Sequence, residues 1–232
     1  MEILQNGAPG GPRNVTQDRS RTAPQNGPPD RRQLRRQATI EEILAAAIHL
    51  MACDGVAGMS LSAVARAVGM KPPSLYEYFP SKLALYDALF AHGAAQLLAA
   101  VNTAGNHPRH MDDPVAALFA GARAYVAWSL AHPVSAQLLN WRPVPGFQPS
   151  AGAFAPSLAM VAQTRALLAL AVGRGRLTPA ATTDEALLLF TSVIAGVVSQ
   201  QLANEPHANP AEGRYSRLLE PALTMWLAYY TP

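Results

Sequence analysis

Residues 69–82 read GMKPPSLYEYFPSK. Two adjacent prolines stand directly ahead of Tyr76, Tyr78 and Phe79. Proline breaks a helix interior but fits the first turn, where N–H groups have no intrahelical acceptor and φ is already near its helical value. The stretch therefore reads as a turn at Gly69 and Met70 followed by a short helix over Pro72–Phe79. Leu75 and Phe79, four residues apart, share its inner face. Tyr76 either packs its ring inward or offers its hydroxyl outward. A different reading takes KPPSLYEYF as an extended polyproline or tyrosine-motif ligand for another protein, a protein-interaction module without sequence-specific DNA binding. That reading needs an exposed, extended segment, and the flanking sequence argues against one.

Upstream, Ser60 is a good N-cap, and Leu61, Val64, Ala65 and Val68 follow it at helical spacing. Before that, TIEE at 39–42 has the capping-box pattern, with Ile40, Ile43, Leu44, Ala47, Leu50 and Met51 forming one apolar face. Gly55 suits the end of that helix, and Cys53 is expected on its inner side as a small core residue. Downstream, Ser81 opens a fourth helix carrying Leu83, Tyr86, Leu89 and Phe90, to about residue 102. A longer helix, a short helix, a tight turn and another short helix form the helix-turn-helix arrangement, in which the second helix of the pair enters the major groove.

The residue types at its tip suit that task. Lys71 can meet a phosphate or guanine, and Pro72 and Pro73 present apolar surface to thymine methyls. Ser74, Tyr76 and Tyr78 carry hydroxyls, and Lys82 starts the next helix beside the DNA backbone. Thr39, Ser60 and Ser62, at the starts of the first two helices, complete the expected contact set with Arg35 and Arg36. These arginines belong to a basic segment. Residues 1–37 hold seven arginines against Glu2, Asp18 and Asp30, a net +4 in a chain whose total is +3. Residues 1–36 are polar and rich in proline and glycine, and are expected to be a disordered arm. Such an arm either meets nucleic acid or serves only as a solvated tail.

The run from Ile43 to Phe90 resembles the DNA-binding domain of the tetracycline-repressor family of bacterial transcriptional regulators. The resemblance rests on Ala46, Ala47 and Leu50, on Gly55, Ser60, Ala65 and Gly69, on Leu75, Tyr76, Tyr78 and Phe79, and on Ser81, Lys82 and Leu85. It covers about residues 37–97, with the motif itself at 60–79. Many members cap the recognition helix with a hydroxyl where this chain has Lys71. The resemblance implies an all-helical homodimer, most often a repressor, that reads a palindromic operator. Its C-terminal helices form the dimer interface and enclose a pocket for a small effector that lowers operator affinity.

The remaining chain, 98–232, reads as helices only, which gives an all-α protein of about nine helices. Helices are expected at about 113–131, 134–141 and 154–172. Another starts at a Thr182–Glu185 capping box, and the last at Asn209, Pro210 and Glu212, kinked by Pro221. In the last two, apolar residues surround the axis. A bundle core explains much of this, but the all-round apolar pattern favours an interface through Leu187, Phe190, Val193, Ile194, Val197, Leu219, Leu223 and Trp226, with Gly196 allowing close approach. Placed by the resemblance on the middle helices and the proline-rich loop, the effector site is expected among Tyr125, Trp128, His132, Trp141, Phe147, Phe154, Met160, Gln163 and Arg165, although each aromatic taken singly is more often simple core and His132 before Pro133 reads as a helix C-terminal residue. The shortage of ionisable groups there favours an apolar or aromatic effector.

Nothing in the sequence points to an enzyme, a cofactor or a metal. No His pair has helix-ligand spacing, no glycine-rich phosphate loop follows a strand, and no nucleophile motif occurs. One cysteine excludes an internal disulfide framework. The apolar run at 186–199 is short for a membrane span, and a cytoplasmic, nucleoid-associated protein is expected.

Overall fold

The computed structural model describes residues 30–209 and 212–232, and these contain nine α-helices and no strand. Helix α1 (Arg31–Asp54) begins well before Thr39. Most of the expected disordered arm lies outside the described residues, but Arg31–Arg36 form the first turns of this helix. Arg, Gln, Leu and Ala are all good helix formers, and nothing between Arg31 and Thr39 interrupts them. The Thr39 hydroxyl donates to the Arg35 carbonyl at 3.0 Å, so it back-bonds within a helix rather than capping one. Ile43, Leu44, Ala47 and Met51 are buried as the spacing demands, whereas Cys53 is exposed: Met51 takes the inner position of that turn and Cys53 points away.

Helix α2 (Leu61–Ala67) is capped as expected, the Ser60 hydroxyl accepting from the Ala63 N–H at 3.2 Å. Gly69 takes φ +68°, which allows the Met70 N–H to close the turn on the Ala65 carbonyl at 2.8 Å. Helix α3 (Pro72–Tyr76) is one turn long, shorter than the sequence suggested, because the Phe79 and Tyr78 N–H groups both turn back to the Leu75 carbonyl. Ser81 caps α4 (Lys82–Gly105) through the Ala84 N–H. From α4, the buried Tyr86 hydroxyl donates to the Val56 carbonyl at 2.6 Å and the Lys82 ammonium to the Ala57 carbonyl at 3.0 Å. The α1–α2 loop is thus pinned to the helix that leaves the head.

Helices α5 (Pro114–Ala131), α6 (Pro133–Asn140), α7 (Ala151–Gly173), α8 (Asp184–Asn204) and α9 (Leu219–Tyr230) complete the chain. Two cores result. The first joins α1–α4 with Val134, Leu138, Val144, Phe147 and Ala153, so later segments seal the N-terminal head. The second joins α5, α7, α8 and α9 around Leu118, Leu168, Phe190, Ile194, Leu223 and Trp226.

Three local expectations shift. The cap of α8 is Thr183, which accepts from the Ala186 N–H at 3.2 Å, while Thr182 ends a 3-10 turn. The last helix starts at Leu219, not at Asn209: the Glu212 and Gly213 N–H groups both bond the Asn209 carbonyl in a turn, and Pro210 lies outside the described residues. Pro221 therefore sits in the first turn of α9, where it displaces no helical hydrogen bond and needs no kink.

The reason for that long turn is Gln201, 1% exposed. Its carbonyl accepts from the Tyr215 and Ser216 N–H groups at 3.1 and 3.0 Å, and its amide donates to the Glu205 carbonyl at 2.9 Å. A Cβ at Gly213 would collide with this amide. Gly213→Ala is expected to cost about 1–3 kcal/mol, seen as a fall of several degrees in the thermal midpoint. An unchanged midpoint would show that the Gln201 clamp gives way freely.

Helices α4, α5, α7 and α8 are each long and apolar enough to cross a membrane by length and composition, α8 through 21 residues rather than the shorter run read from sequence. In the structure α4 packs on α5 and α7, and α5 on α7 and α8.

Candidate nucleic-acid interface and interhelical cavity

Lys71 precedes α3 with extended backbone (φ −73°, ψ 142°) and no side-chain cap. Pro72 and Pro73 fill N1 and N2 and carry no N–H, so the first donor needing an acceptor is Ser74, which bonds the Lys71 carbonyl at 3.0 Å. The missing capping hydroxyl therefore leaves no orphan in this turn. Leu75 is fully buried and Phe79 nearly so, which anchors the helix from beneath. Lys71, Pro72, Pro73, Ser74 and Tyr76 all remain exposed. Tyr76, open in the sequence reading, is 51% exposed and faces outward.

Tyr78 is placed differently. It is half-buried against the head core, and the Arg36 guanidinium lies 4.7 Å over its ring while reaching the Glu77 carbonyl at 3.5 Å. The start of α1 is thus stacked on the end of the recognition turn. Lys82 is half-buried with one of its three N–H donors on the Ala57 carbonyl, and the Thr39 hydroxyl proton is given to the Arg35 carbonyl. Ser60 and Ser62 share a hydrogen bond at 3.3 Å at the exposed start of α2, and Arg31, Arg32 and Arg35 are exposed. KPPSLYEYF is helical at its centre and anchored at Leu75 and Phe79, so it does not provide the extended segment that the interaction-module reading requires.

A cavity of about 580 Å³ lies among α4, α5, α7, α8 and the end of α6. Of the expected effector residues, Tyr125, Phe154, Met160 and Gln163 line it. The other five do not. Trp128 is buried and stacks on His132 at 4.8 Å, Trp141 faces solvent, Phe147 sits in the head core 5.9 Å from Tyr86, and Arg165 pairs with Asp184. Sequence reading missed Leu97, Val101 and Asn102 on α4, Leu118 and Ala122 on α5, and Leu139 and Asn140 on α6. The signal was present in α4, whose Leu97 and Val101 continue its apolar spacing. Among the described residues, no charged one lines the cavity. The Tyr125 hydroxyl donates to Asn140 Oδ1 at 2.8 Å. Burial pushes the Tyr125 phenol up and the Asn140 hydrogen bond opposes it, so the group is neutral near pH 7.

The expected dimer residues are mostly internal. Leu187, Phe190, Ile194, Leu219, Leu223 and Trp226 are buried in the chain's own second core, Phe190 and Ile194 also lining the cavity, and Val193 and Val197 are half-buried. The outward faces of the same helices carry Leu188 (64% exposed), Leu189, Met225 (74%) and Tyr229 (76%), with Gly196 in open space. Among the described residues, no three His, Cys, Asp or Glu side chains come together as metal ligands.

Two family models match the chain: bacterial regulatory proteins of the tetR family over residues 43–89, and a tetracyclin repressor-like C-terminal domain over residues 118–223. An HTH-type transcriptional regulator of Mycobacterium tuberculosis is 35% identical over 98 residues, 40% of this chain and 39% of that protein. The match thus spans well under half the length of the curated relatives. Among solved structures, a protein of unknown function from Rhodococcus sp. RHA1 superposes with a TM-score of 0.68 at 23% identity, covering 83% of this chain and 95% of that one. The regulator FadR from Bacillus subtilis in complex with stearoyl-CoA superposes with a TM-score of 0.65 at 14% identity, covering 81% and 97%.

Proposed function

The chain belongs to the tetR family of bacterial regulatory proteins, and from that membership we propose that it is a homodimeric, operator-binding transcriptional regulator, a repressor by default, released from DNA when a small uncharged molecule fills the interhelical cavity. It acts in the cytoplasm, at the nucleoid. The single observation that carries the DNA-binding reading is the exposed row Lys71–Ser74 and Tyr76 on a proline-started helix anchored by Leu75. Two such heads related by a two-fold axis would meet successive major grooves about 34–36 Å apart on a palindromic site. Release follows if the ligand prefers a state in which the heads no longer match that spacing. A continuous α4 supports this, since Tyr86 and Phe90 belong to the head core while Leu97 and Val101 line the cavity. The FadR structure of the same fold holds stearoyl-CoA, whose acyl chain is apolar and whose CoA part is phosphorylated, so it supports a ligand site in this fold and not the neutrality of this chain's effector.

The proposed dimer face is the outer surface of α8 and α9, around Leu188, Leu189, Met225 and Tyr229. Apolar side chains this exposed on two neighbouring helices would be covered by the same helices of a second chain.

Gel shifts with DNA flanking the chain's own gene test the reading. A salt-sensitive complex that survives nonspecific competitor, footprinting as an inverted repeat, is expected. Absence of any sequence-selective complex across captured genomic fragments would reject it. The basic turns of α1 give a finer check. Arg35→Gln should weaken binding to all sequences alike and reduce the salt slope by about one ion. Arg36→Gln should weaken operator binding through the lost Tyr78 stack instead. Identical salt slopes for wild type and Arg35→Gln would remove Arg35 from the interface.

A further inference from the structure

The hydrogen bonds at one end of the cavity have a fixed direction. The Asn140 amide nitrogen donates to the Ala136 carbonyl at 2.9 Å. A carbonyl cannot donate, so this contact settles which end of the Asn140 amide points where, and Oδ1 faces Tyr125. Oδ1 can only accept, so the Tyr125 proton is committed to it at 2.8 Å. What Tyr125 Oη offers to anything else is lone pairs alone. Tyr125 and Asn140 both line the cavity, and among the described residues no cationic side chain does.

We propose that this chain's effector is an uncharged molecule that presents a hydrogen-bond donor, a hydroxyl or an N–H, to Tyr125 Oη, with its apolar body among Leu97, Leu118, Phe154 and Ile194. The proposal rests on the reading of the cavity as the effector site. Two physical costs enforce the class. A carboxylate placed there would lose water without gaining a cation. An ether or ketone facing Tyr125 would set oxygen lone pairs against oxygen lone pairs, with no proton between them. A hydroxyl satisfies both its own donor and the tyrosine oxygen, and the Ala136–Asn140–Tyr125 chain then continues into the ligand as one polarised series. Tyr125 is thereby a specificity-determining residue, with Asn140 positioning its proton.

Three probes with one body separate the possibilities: 2-naphthol, 2-methoxynaphthalene and 2-naphthoate, titrated calorimetrically at pH 7 into the full chain and into Tyr125→Phe. The ether is the more apolar of the two neutral probes, so burial alone ranks it first, and the cavity has room for its methyl group. We expect 2-naphthol to bind about tenfold tighter than the ether, and 2-naphthoate to bind more weakly than either. In Tyr125→Phe the gap between the neutral probes should close, with the ether's affinity unchanged, which also reports that the variant is folded. Equal binding of both neutral probes by the wild type would overturn the donor rule, and naphthoate binding as tightly as naphthol would overturn the requirement for neutrality. If none of the three binds, the cavity is not an effector site, and both the underlying reading and the proposal fail.

Discussion

Glutamate at positions 188 and 225 should convert the protein to a monomer and reduce operator affinity by about a hundredfold or more. The single chain tolerates both changes, because Leu188 and Met225 are 64% and 74% exposed and neither belongs to its core. A second copy would not tolerate them, since like charges would face each other across the two-fold axis with their water removed. DNA affinity falls with the dimer because two linked heads bind with an effective concentration that a lone head lacks, worth about 10²–10⁴ in affinity. Light scattering after size exclusion, with fluorescence anisotropy on operator DNA, reads both effects. A double variant that remains dimeric and binds normally would place the interface elsewhere, with the uncovered surface of α7 as the next candidate.

Leu75→Ala should separate folding of the head from folding of the rest. A helix of five residues has no stability of its own and exists because tertiary contacts hold it. Leu75 is fully buried beneath it, and the Leu75 carbonyl receives both the Tyr78 and Phe79 N–H groups that end it. Truncation to alanine leaves a cavity and costs about 2–5 kcal/mol, a large share of a domain's stability. Operator binding should drop steeply while dimerisation and ligand binding persist, because the second core around Phe190, Leu223 and Trp226 does not include this residue. Retention of wild-type operator affinity would show that the reading helix is held by something other than Leu75.

The helix-turn-helix was legible because each of its signals is local. Ser60 and Ser81 cap the helices that follow them, Gly69 takes the positive φ its turn requires, and the prolines mark where α3 starts. Local signals also misled. Thr39 has the sequence context of a cap, yet a threonine inside a helix makes a similar short-range bond to the carbonyl four residues back, and only the residues before it decide between the two. The burial of the expected dimer residues in the chain's own core was hidden in sequence for a related reason. On α8, Leu187, Leu188, Leu189 and Phe190 are all apolar, so periodicity cannot say which of them the chain covers for itself. Packing decides it, and packing is a property of the distant residues Trp226 and Leu168. The cavity was the least legible element. It is a space left between five helices, and a residue such as Asn102 lines it because of where α7 and α8 pass, not because of its neighbours in sequence.

The two-part composition of the head core bears on how the chain comes to be folded during its synthesis. Phe147 lies against Tyr86 and Phe90, and Val134, Leu138 and Val144 enter the same cluster. Helices α1–α4 therefore leave the ribosome with one side of their interior uncovered until residues 134–153 have been made, roughly several seconds later at ordinary rates of translation. In that interval the head, Leu75 of its short third helix included, lacks part of its core, so its folding should wait on the synthesis of residues 134–153.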